Sequence, residues 1–291
     1  MPSRQVAATP SGQPALPVDV ISPGTVEPAS PRSFPPPLRE RAPGLWTTAG
    51  LIATYFVLQM VVGMLAALVI GLVAELRASA GAGAAFSTTL EQPAMQALLA
   101  TLSLGIAAPA TLWLARRRWP RLWSQAAPPG LGVALPSRRR FFALAAAVGL
   151  MAPWLGALLT GLLAHGHAVP QDIQQLGSST PLALRIPLML VVVSVGPLVE
   201  ELLFRGVLLS ALLQRWRVGW SVAIGSLVFA LVHLPGLDYR WYALPDLFLL
   251  ALMLSWLRLR SGSVWPAVLA HGLNNLLGVA GWFALSAFLT G

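Results

Sequence analysis

The sequence Val-Glu-Glu-Leu-Leu-Phe-Arg-Gly at residues 199–206 places three ionisable side chains, Glu200, Glu201 and Arg205, inside an otherwise uncharged apolar run that covers residues 186–214. An ionised side chain in the hydrocarbon region of a bilayer costs about 2.5–3.5 kcal/mol on insertion scales. Such a group persists where it is paired, hydrated or used in function. These three residues are therefore the first candidates for chemistry.

The composition is that of a protein with many membrane spans. Of 291 residues, 56% are hydrophobic and 10% are charged, whereas an average soluble domain has about 25% charged residues. The net charge of +9 comes from nineteen arginines with no lysine, most of them in the first 43 residues or between apolar runs, as topology signals are. We therefore expect a lipid bilayer as a partner and no nucleic acid. The absence of cysteine excludes disulfides, thiolate nucleophiles and cysteine metal ligands.

The chain is predicted to divide into three regions. Residues 1–43 contain 11 of the 25 prolines and show no apolar periodicity, which is typical of a disordered tail. Residues 44–180 are predicted to form the N-terminal transmembrane helices, and residues 181–291 the catalytic transmembrane core. No short apolar segment with a small-residue cleavage site precedes the first long apolar run, so we expect no removable signal peptide.

Seven apolar runs predict the fold. A helix needs about 20 apolar residues to cross a hydrocarbon layer about 30 Å thick. The runs meet or approach this length, and they cover residues 46–74, 96–115, 141–164, 186–214, 219–235, 243–257 and 264–288. The expected fold is an all-α, polytopic transmembrane helix bundle of seven or eight spans.

Arginines give the predicted orientation of this bundle. They crowd the connections after the second, fourth and sixth runs, whereas the alternate connections carry one arginine each, together with acidic residues. Because cytoplasmic loops retain basic residues, the N-terminal tail is expected in the cytoplasm and the C-terminus outside. Abundant arginine, alanine and glycine without lysine indicate a GC-rich bacterial genome. The predicted location is therefore the inner (cytoplasmic) membrane of a bacterium.

Three of the apolar runs carry chemically informative residues four positions apart, which places each pair on one helix face. The pairs are Glu201 and Arg205, Phe229 and His233, and His271 and Asn275. At a rise of 1.5 Å per residue, all three faces lie roughly 10–22 Å from the arginine-rich ends of their helices. We expect them to meet in one water-filled cavity that opens toward the cytoplasm. Gly196 and Pro197 predict a kink that makes room for water beside Glu200.

These side chains suggest distinct roles. Glu200 is suited to act as a general base toward water, and Glu201 is placed to form an ion pair with Arg205. Neutral histidines can ligate a divalent metal or donate hydrogen bonds, and an asparagine amide can stabilise an oxyanion. The residues concerned are His233, His271 and Asn275. Together the groups describe hydrolysis of an amide bond by activated water.

Three motifs, Glu-Glu-x-x-x-Arg at 200–205, Phe-x-x-x-His at 229–233 and His-x-x-x-Asn at 271–275, occur in that order on successive apolar helices. In this they resemble the CAAX prenyl protease and bacteriocin-processing (CPBP) family of intramembrane proteases, which includes abortive-infection proteins. The resemblance covers about residues 184–280. It implies an intramembrane endopeptidase acting on a membrane-associated protein or peptide. Prenylated substrates are less expected in a bacterium.

The resemblance also implies roles for the matching residues. Glu200 would activate the water, while Glu201 and Arg205 support the same motif. The site would be completed by His233, His271 and Asn275. Members of this family have been described both as metalloproteases and as glutamate-dependent proteases.

The sequence does not decide whether the site binds a divalent metal such as zinc. A catalytic zinc usually has three protein ligands and a water molecule, and His233 and His271 supply two. The third would be Glu200, Glu201 or Asn275, and a carboxylate that ligates a metal is less free to act as a base. The alternatives are thus a metallo-type and a glutamate-type endopeptidase.

Other interpretations use the same polar cluster. The glutamates and the arginine could form a structural ion pair, and the histidines could serve only in hydrogen bonds between helices. The protein would then be a non-enzymatic membrane partner or immunity protein, or a proton-coupled transporter. The lack of an internal repeat counts against a transporter. Asp246, near the start of the sixth run, is expected at the external interface and not in the site.

Overall fold

The computed structural model describes residues 41–78, 84–165, 176–177 and 179–289. Nearly all of the predicted tail at residues 1–43 lies outside these ranges, so its disorder stays a prediction. The described residues form helices and their connections, with no β-strand among them. This confirms the all-α fold class.

Eight helices make up the described part of the chain. They are α1 (Leu45–Arg77), α2 (Ala84–Glu91), α3 (Pro93–Arg118), α4 (Arg140–Ala164), α5 (Leu182–Leu213), α6 (Val218–Val232), α7 (Leu244–Ser261) and α8 (Trp265–Leu289). All seven predicted runs coincide with helices, and α2 is a short additional helix in the connection before α3.

Five described helices are long and apolar enough to cross a membrane: α1, α3, α4, α5, and α7 with the turn that precedes it. Helix α6 has 15 residues and so extends only about 22 Å, short of the hydrocarbon thickness. The chain is therefore an integral membrane protein, while the full count of seven or eight spans stays a prediction.

Helix α5 lies at the centre of the bundle and packs against α1, α3, α6, α7 and α8. Every residue from 201 to 212 is buried. Its neighbours approach closely because small side chains such as Ala107 and Ala108 of α3 and Ala251 of α7 face it. In lipid, where the hydrophobic effect between helices is absent, such close packing supplies much of the attraction. The central helix is thus the one that carries the charged motif.

The backbone of α5 departs from regular α-helix on both sides of the two glutamates. Residues Val191–Val195 and Leu202–Leu208 form π-helical turns. In the first, the Gly196 N–H donates to the Val191 carbonyl, five residues back. The next residue, Pro197, has no N–H to donate. The distortion expected at Gly196–Pro197 is therefore present as a π-helical turn that leaves the Val192 carbonyl without its backbone donor.

Helix α8 docks on this distorted turn. The Asn275 Nδ2 donates to the Val192 carbonyl at 3.0 Å. A methyl group at Gly272 would lie 2.6 Å from the Val193 carbonyl oxygen, so only glycine allows this approach. The irregular turn of α5 thus fixes the position of α8, and with it the second histidine.

The connection between α3 and α4 covers the arginine-rich end of α5. Trp119, Leu122 and Leu131 pack with Leu202 and Val207 in one buried cluster. The guanidinium of Arg258 ties the same connection to α7, because Nη1 donates to Ala126 O at 2.8 Å and Nη2 to Gly130 O at 2.7 Å. The arginine-rich end of α5 is therefore covered by this connection.

The orientation can be measured directly, because the chain contains no cysteine. We expect a single cysteine introduced as Glu91→Cys to react with a membrane-impermeant maleimide on intact bacterial cells. A cysteine introduced as Arg215→Cys should react only after permeabilisation, since arginine-rich connections stay in the cytoplasm. The reverse labelling pattern would invert the predicted topology.

Candidate active site

Helices α5, α6 and α8 bring the two predicted histidines to Glu200. His233 Nε2 lies 3.7 Å from Glu200 Oε2 and His271 Nε2 lies 3.8 Å from the same oxygen. The Glu200 side chain keeps 21% of its surface exposed. One accessible carboxylate thus faces two imidazoles at membrane depth.

Glu201 forms the buried charge pair of the site. Its Oε1 accepts a hydrogen bond from Arg205 Nη1 at 2.7 Å, and the two side chains are 0% and 2% exposed. The Arg205 guanidinium also lies over the Phe229 ring, 4.3 Å from its centroid, and donates from Nη2 to Ala251 O at 3.3 Å. The ion pair thereby links α5 to α6 and α7.

The same glutamate orients His271. Nδ1 of His271 lies 2.9 Å from Glu201 Oε1, and a carboxylate oxygen accepts, so Nδ1 carries the proton. In His233, Nδ1 lies 2.7 Å from the Phe229 carbonyl, which also only accepts. Both rings therefore hold their Nδ1 proton away from the cavity and turn Nε2 toward Glu200.

Phe229 supports this arrangement through ring contacts. Its centroid lies 4.6 Å from that of His233 and 5.8 Å from that of His271, and Phe204 meets it edge-on at 5.2 Å. Phe229 is 1% exposed. The residue that the Phe-x-x-x-His motif singled out thus packs between the buried ion pair and the two imidazoles.

Asn275 lies on the same face of α8 and contributes to the wall of the cavity. One of its two amide hydrogens is engaged by the Val192 carbonyl, and its Oδ1 accepts from Asn274 Nδ2 at 3.4 Å. Its predicted oxyanion role can use only the second amide hydrogen. Its contact with Val192 makes it a link between α5 and α8 as well.

A cavity of about 1010 Å³ begins at this cluster, with Glu200, Phe229, His233, His271 and Asn275 in its wall. Its other lining residues show in which direction it extends. They include Gln96 near the start of α3, Thr160 near the end of α4, Ser179 before α5, Asp246 at the start of α7 and Val279 in α8. All of these lie toward the helix ends with few arginines.

The prediction of a cavity open to the arginine-rich, cytoplasmic side is therefore wrong. The physical reason is the connection between α3 and α4, whose buried Trp119, Leu122 and Leu131 cover that end of α5. The spacing along the helices predicted that the polar groups lie at a similar depth. It could not predict which end of the cavity the connections between helices would cover.

A comparison with known protein families bears on this geometry. Residues 181–277 match the family described as Rce1-like, type II CAAX prenyl endopeptidase. No significant match was found among curated proteins or among solved structures. The family predicted from the three motifs is confirmed, and the matched CAAX endopeptidase region contains Glu200, the buried ion pair, both histidines and Asn275.

The CAAX endopeptidase region has a limited set of metal donors. Within the described residues, no group of three or more histidine, aspartate and glutamate side chains is arranged to hold a metal ion. His233 and His271 offer two imidazoles, whereas a catalytic zinc usually takes three protein ligands. Glu200 Oε2, 3.7 and 3.8 Å from the two Nε2 atoms, is the candidate third ligand, and the need for a metal stays a prediction.

The structure corrects one part of the expectation for Asp246. This residue was expected at the external interface and not in the site. It does lie at the predicted external end of α7, but it lines the cavity, and its carboxylate packs against Gly156 of α4, where any larger residue would collide with it. Glu200 was singled out because a charged residue within an apolar membrane helix indicates a functional role, and the same argument applied to Asp246. Asn274 and Gln96 also line the cavity, and nothing in their spacing distinguishes them from residues that face lipid.

The buried ion pair can be tested through stability. We expect Arg205→Met to lower the free energy of unfolding by about 3–5 kcal/mol, because it leaves the Glu201 carboxylate buried beside only His271. The double variant Glu201→Gln/Arg205→Met should be less destabilised, since the amide oxygen can still accept from His271. Unfolding of the purified protein in detergent measures both effects, and an equal loss in the two variants would contradict the charge argument.

Proposed function

We propose that the protein is an intramembrane endopeptidase that hydrolyses a peptide bond of a membrane-associated protein or peptide, with water activated by Glu200. The observation that carries this proposal is the placement of one cavity-facing carboxylate within 3.7 and 3.8 Å of two imidazoles. Membership of residues 181–277 in a CAAX endopeptidase family supports the reaction class.

Glu200 would act first as a base. The two separations exceed the 2.7–3.2 Å typical of a direct hydrogen bond, so the carboxylate and the imidazoles can share a water molecule. Glu200 takes one proton from that water, and the water oxygen forms a bond to the carbonyl carbon of the substrate. The carbonyl oxygen becomes negative and accepts a hydrogen bond from the second amide N–H of Asn275.

Glu200 would then act as an acid. The protonated carboxyl returns its proton to the amide nitrogen as the carbon–nitrogen bond breaks. The products are a carboxylic acid and an amine, and Glu200 is again a carboxylate. No proton or electron is left over, because water supplies both the hydroxyl and the proton that the products gain.

The buried groups would position the reacting ones. Arg205 holds Glu201, Glu201 holds the Nδ1 proton of His271, and the Phe229 carbonyl holds that of His233. The two Nε2 atoms are consequently oriented before substrate binds. Such preorganised polar groups lower a barrier because they need no rearrangement as charge develops.

The direction of the cavity bears on the substrate. With the arginine-rich connections in the cytoplasm, a substrate would reach Glu200 from the external side of a bacterial inner membrane. A peptide that is bound to the outer leaflet, or that emerges from it, can reach Glu200 from this side, whereas a prenylated C-terminus in the cytoplasm cannot. We therefore propose a membrane-associated peptide as the substrate class.

The base can be tested with a near-isosteric change. We expect Glu200→Gln to lower cleavage of a membrane-peptide library by at least about 100-fold, the usual lower contribution of general acid–base catalysis. The exposed acid Glu91 lies outside the cavity lining, so Glu91→Gln is the matched control and should keep wild-type cleavage. Unfolding in detergent shows whether both variants fold.

Wild-type activity in a folded Glu200→Gln variant would contradict the proposed base. A wild-type protein that cleaves nothing in the library would favour a membrane partner or immunity protein. Flux driven by a pH gradient in proteoliposomes would favour a proton-coupled transporter.

Metal dependence is tested separately. We expect cleavage to persist after treatment with a chelator, because the described donors do not complete a three-ligand site. Metal content should be measured on the same samples, with His233→Ala and His271→Ala as the comparison. Cleavage lost on chelation and restored by zinc, together with zinc lost in both histidine variants, would establish a metallo-type enzyme instead.

A further inference from the structure

A second cavity lies at the opposite end of α4 and α7 from the one that contains Asp246. Its volume is about 390 Å³, and its lining includes Arg138, Arg140 and Arg260 together with Phe141, Leu144 and Trp256. We call these six residues the basic pocket. It is separate from the catalytic cavity, with which it shares no lining residue.

The basic pocket has an unbalanced positive charge. It is lined by three arginines and by no acidic residue. Within the described part of the chain, no salt bridge involves Arg138, Arg140 or Arg260, and all three are exposed. Arginine presents a planar set of donors that suits a phosphate group. The pocket is therefore complementary to a phosphate-bearing anion.

The walls of the basic pocket are held by hydrogen bonds. Ser137 N donates to Ser261 O at 2.9 Å, and Val264 N donates to Gly132 O at 2.9 Å. Ser263 Oγ donates to Ala134 O at 2.5 Å. These contacts fix the segment before α4 against the junction of α7 and α8. The arginines thus project from a defined frame.

The pocket is polar at one end and apolar at the other. Leu144 follows Arg140 by four residues on α4, and Trp256 precedes Arg260 by four residues on α7. Each apolar side chain therefore lies about 6 Å deeper along its helix than the arginine. Leu144 and Trp256 are 40% and 43% exposed, so they face the surrounding lipid. This gradient matches a molecule with a phosphate head and a hydrocarbon tail.

We propose that the basic pocket binds the phosphate head group of an anionic phospholipid, with the start of the acyl chain against Leu144 and Trp256. Basic pockets between membrane helices on the cytoplasmic side are suited to such head groups. Arginines that served only to set topology would need neither a cavity between two helices nor an apolar wall below it.

The test uses the full chain, purified in detergent and freed of lipid. Native mass spectrometry measures binding of phosphatidylglycerol, of phosphatidylcholine with the same acyl chains, and of glycerol phosphate as a soluble head group. We expect phosphatidylglycerol to bind with the highest affinity. The triple variant R138Q/R140Q/R260Q should lose about 100-fold in that affinity, since each arginine near an anionic lipid adds close to a factor of five.

A matched control separates the pocket from general charge. Variant R117Q/R215Q/R217Q removes three arginines from the same predicted side of the membrane but none from the basic pocket, and it should bind phosphatidylglycerol like the wild type. If a triple variant does not fold, the single reversals Arg260→Glu and Arg215→Glu give the same comparison.

Three results would overturn the proposal. Equal loss in the pocket and control variants would mean that net charge alone attracts the lipid. Equal affinity for phosphatidylcholine would remove the anionic head group as the basis of binding. Glycerol phosphate bound as tightly as phosphatidylglycerol would make the ligand a soluble phosphate ester and not a lipid.

Discussion

The buried carboxylate of Glu201 is the constraint on which the rest of the structure depends. A charge in the interior of a membrane bundle must be compensated, and Oε1 of Glu201 meets both Arg205 at 2.7 Å and Nδ1 of His271 at 2.9 Å. Because Arg205 also lies over Phe229 and bonds to α7, the compensation draws four helices together. The neighbouring Glu200 reaches the other nitrogen of the same imidazole, with His271 Nε2 3.8 Å from its Oε2, and keeps 21% of its side chain exposed to the cavity.

The irregular backbone of α5 also helps to position His271. A proline within a membrane helix leaves a carbonyl without a donor, and a neighbouring helix can satisfy it. Here Pro197 and the π-helical turn free the Val192 carbonyl, and Asn275 of α8 donates to it. Gly272 permits the close approach. One sequence feature, Gly196–Pro197, therefore determines how α8 is docked and where His271 lies.

The two ends of the bundle have different properties. At the arginine-rich end, Trp119, Leu122 and Leu131 close the bundle over α5, and Arg258 holds their connection in place. At the other end the helices diverge around a cavity of about 1010 Å³ that contains Asp246 as well as Glu200. The opening of the proposed catalytic cavity and the proposed lipid contact thus lie at opposite ends of the bundle, and neither requires the other.

Much of this protein follows from sequence because membranes impose strong local rules. Helix is the required structure for an apolar run in lipid, and a spacing of four puts Glu201 with Arg205, Phe229 with His233, and His271 with Asn275 on shared faces. The direction of the cavity, the position of Asp246 in its wall and the contact of His271 with Glu201 were decided only by tertiary structure. The physical reason is that these features depend on contacts between residues far apart in the chain, such as Leu131 with Leu202 and Glu201 with His271, and periodicity within one helix carries no information on which neighbour will pack there.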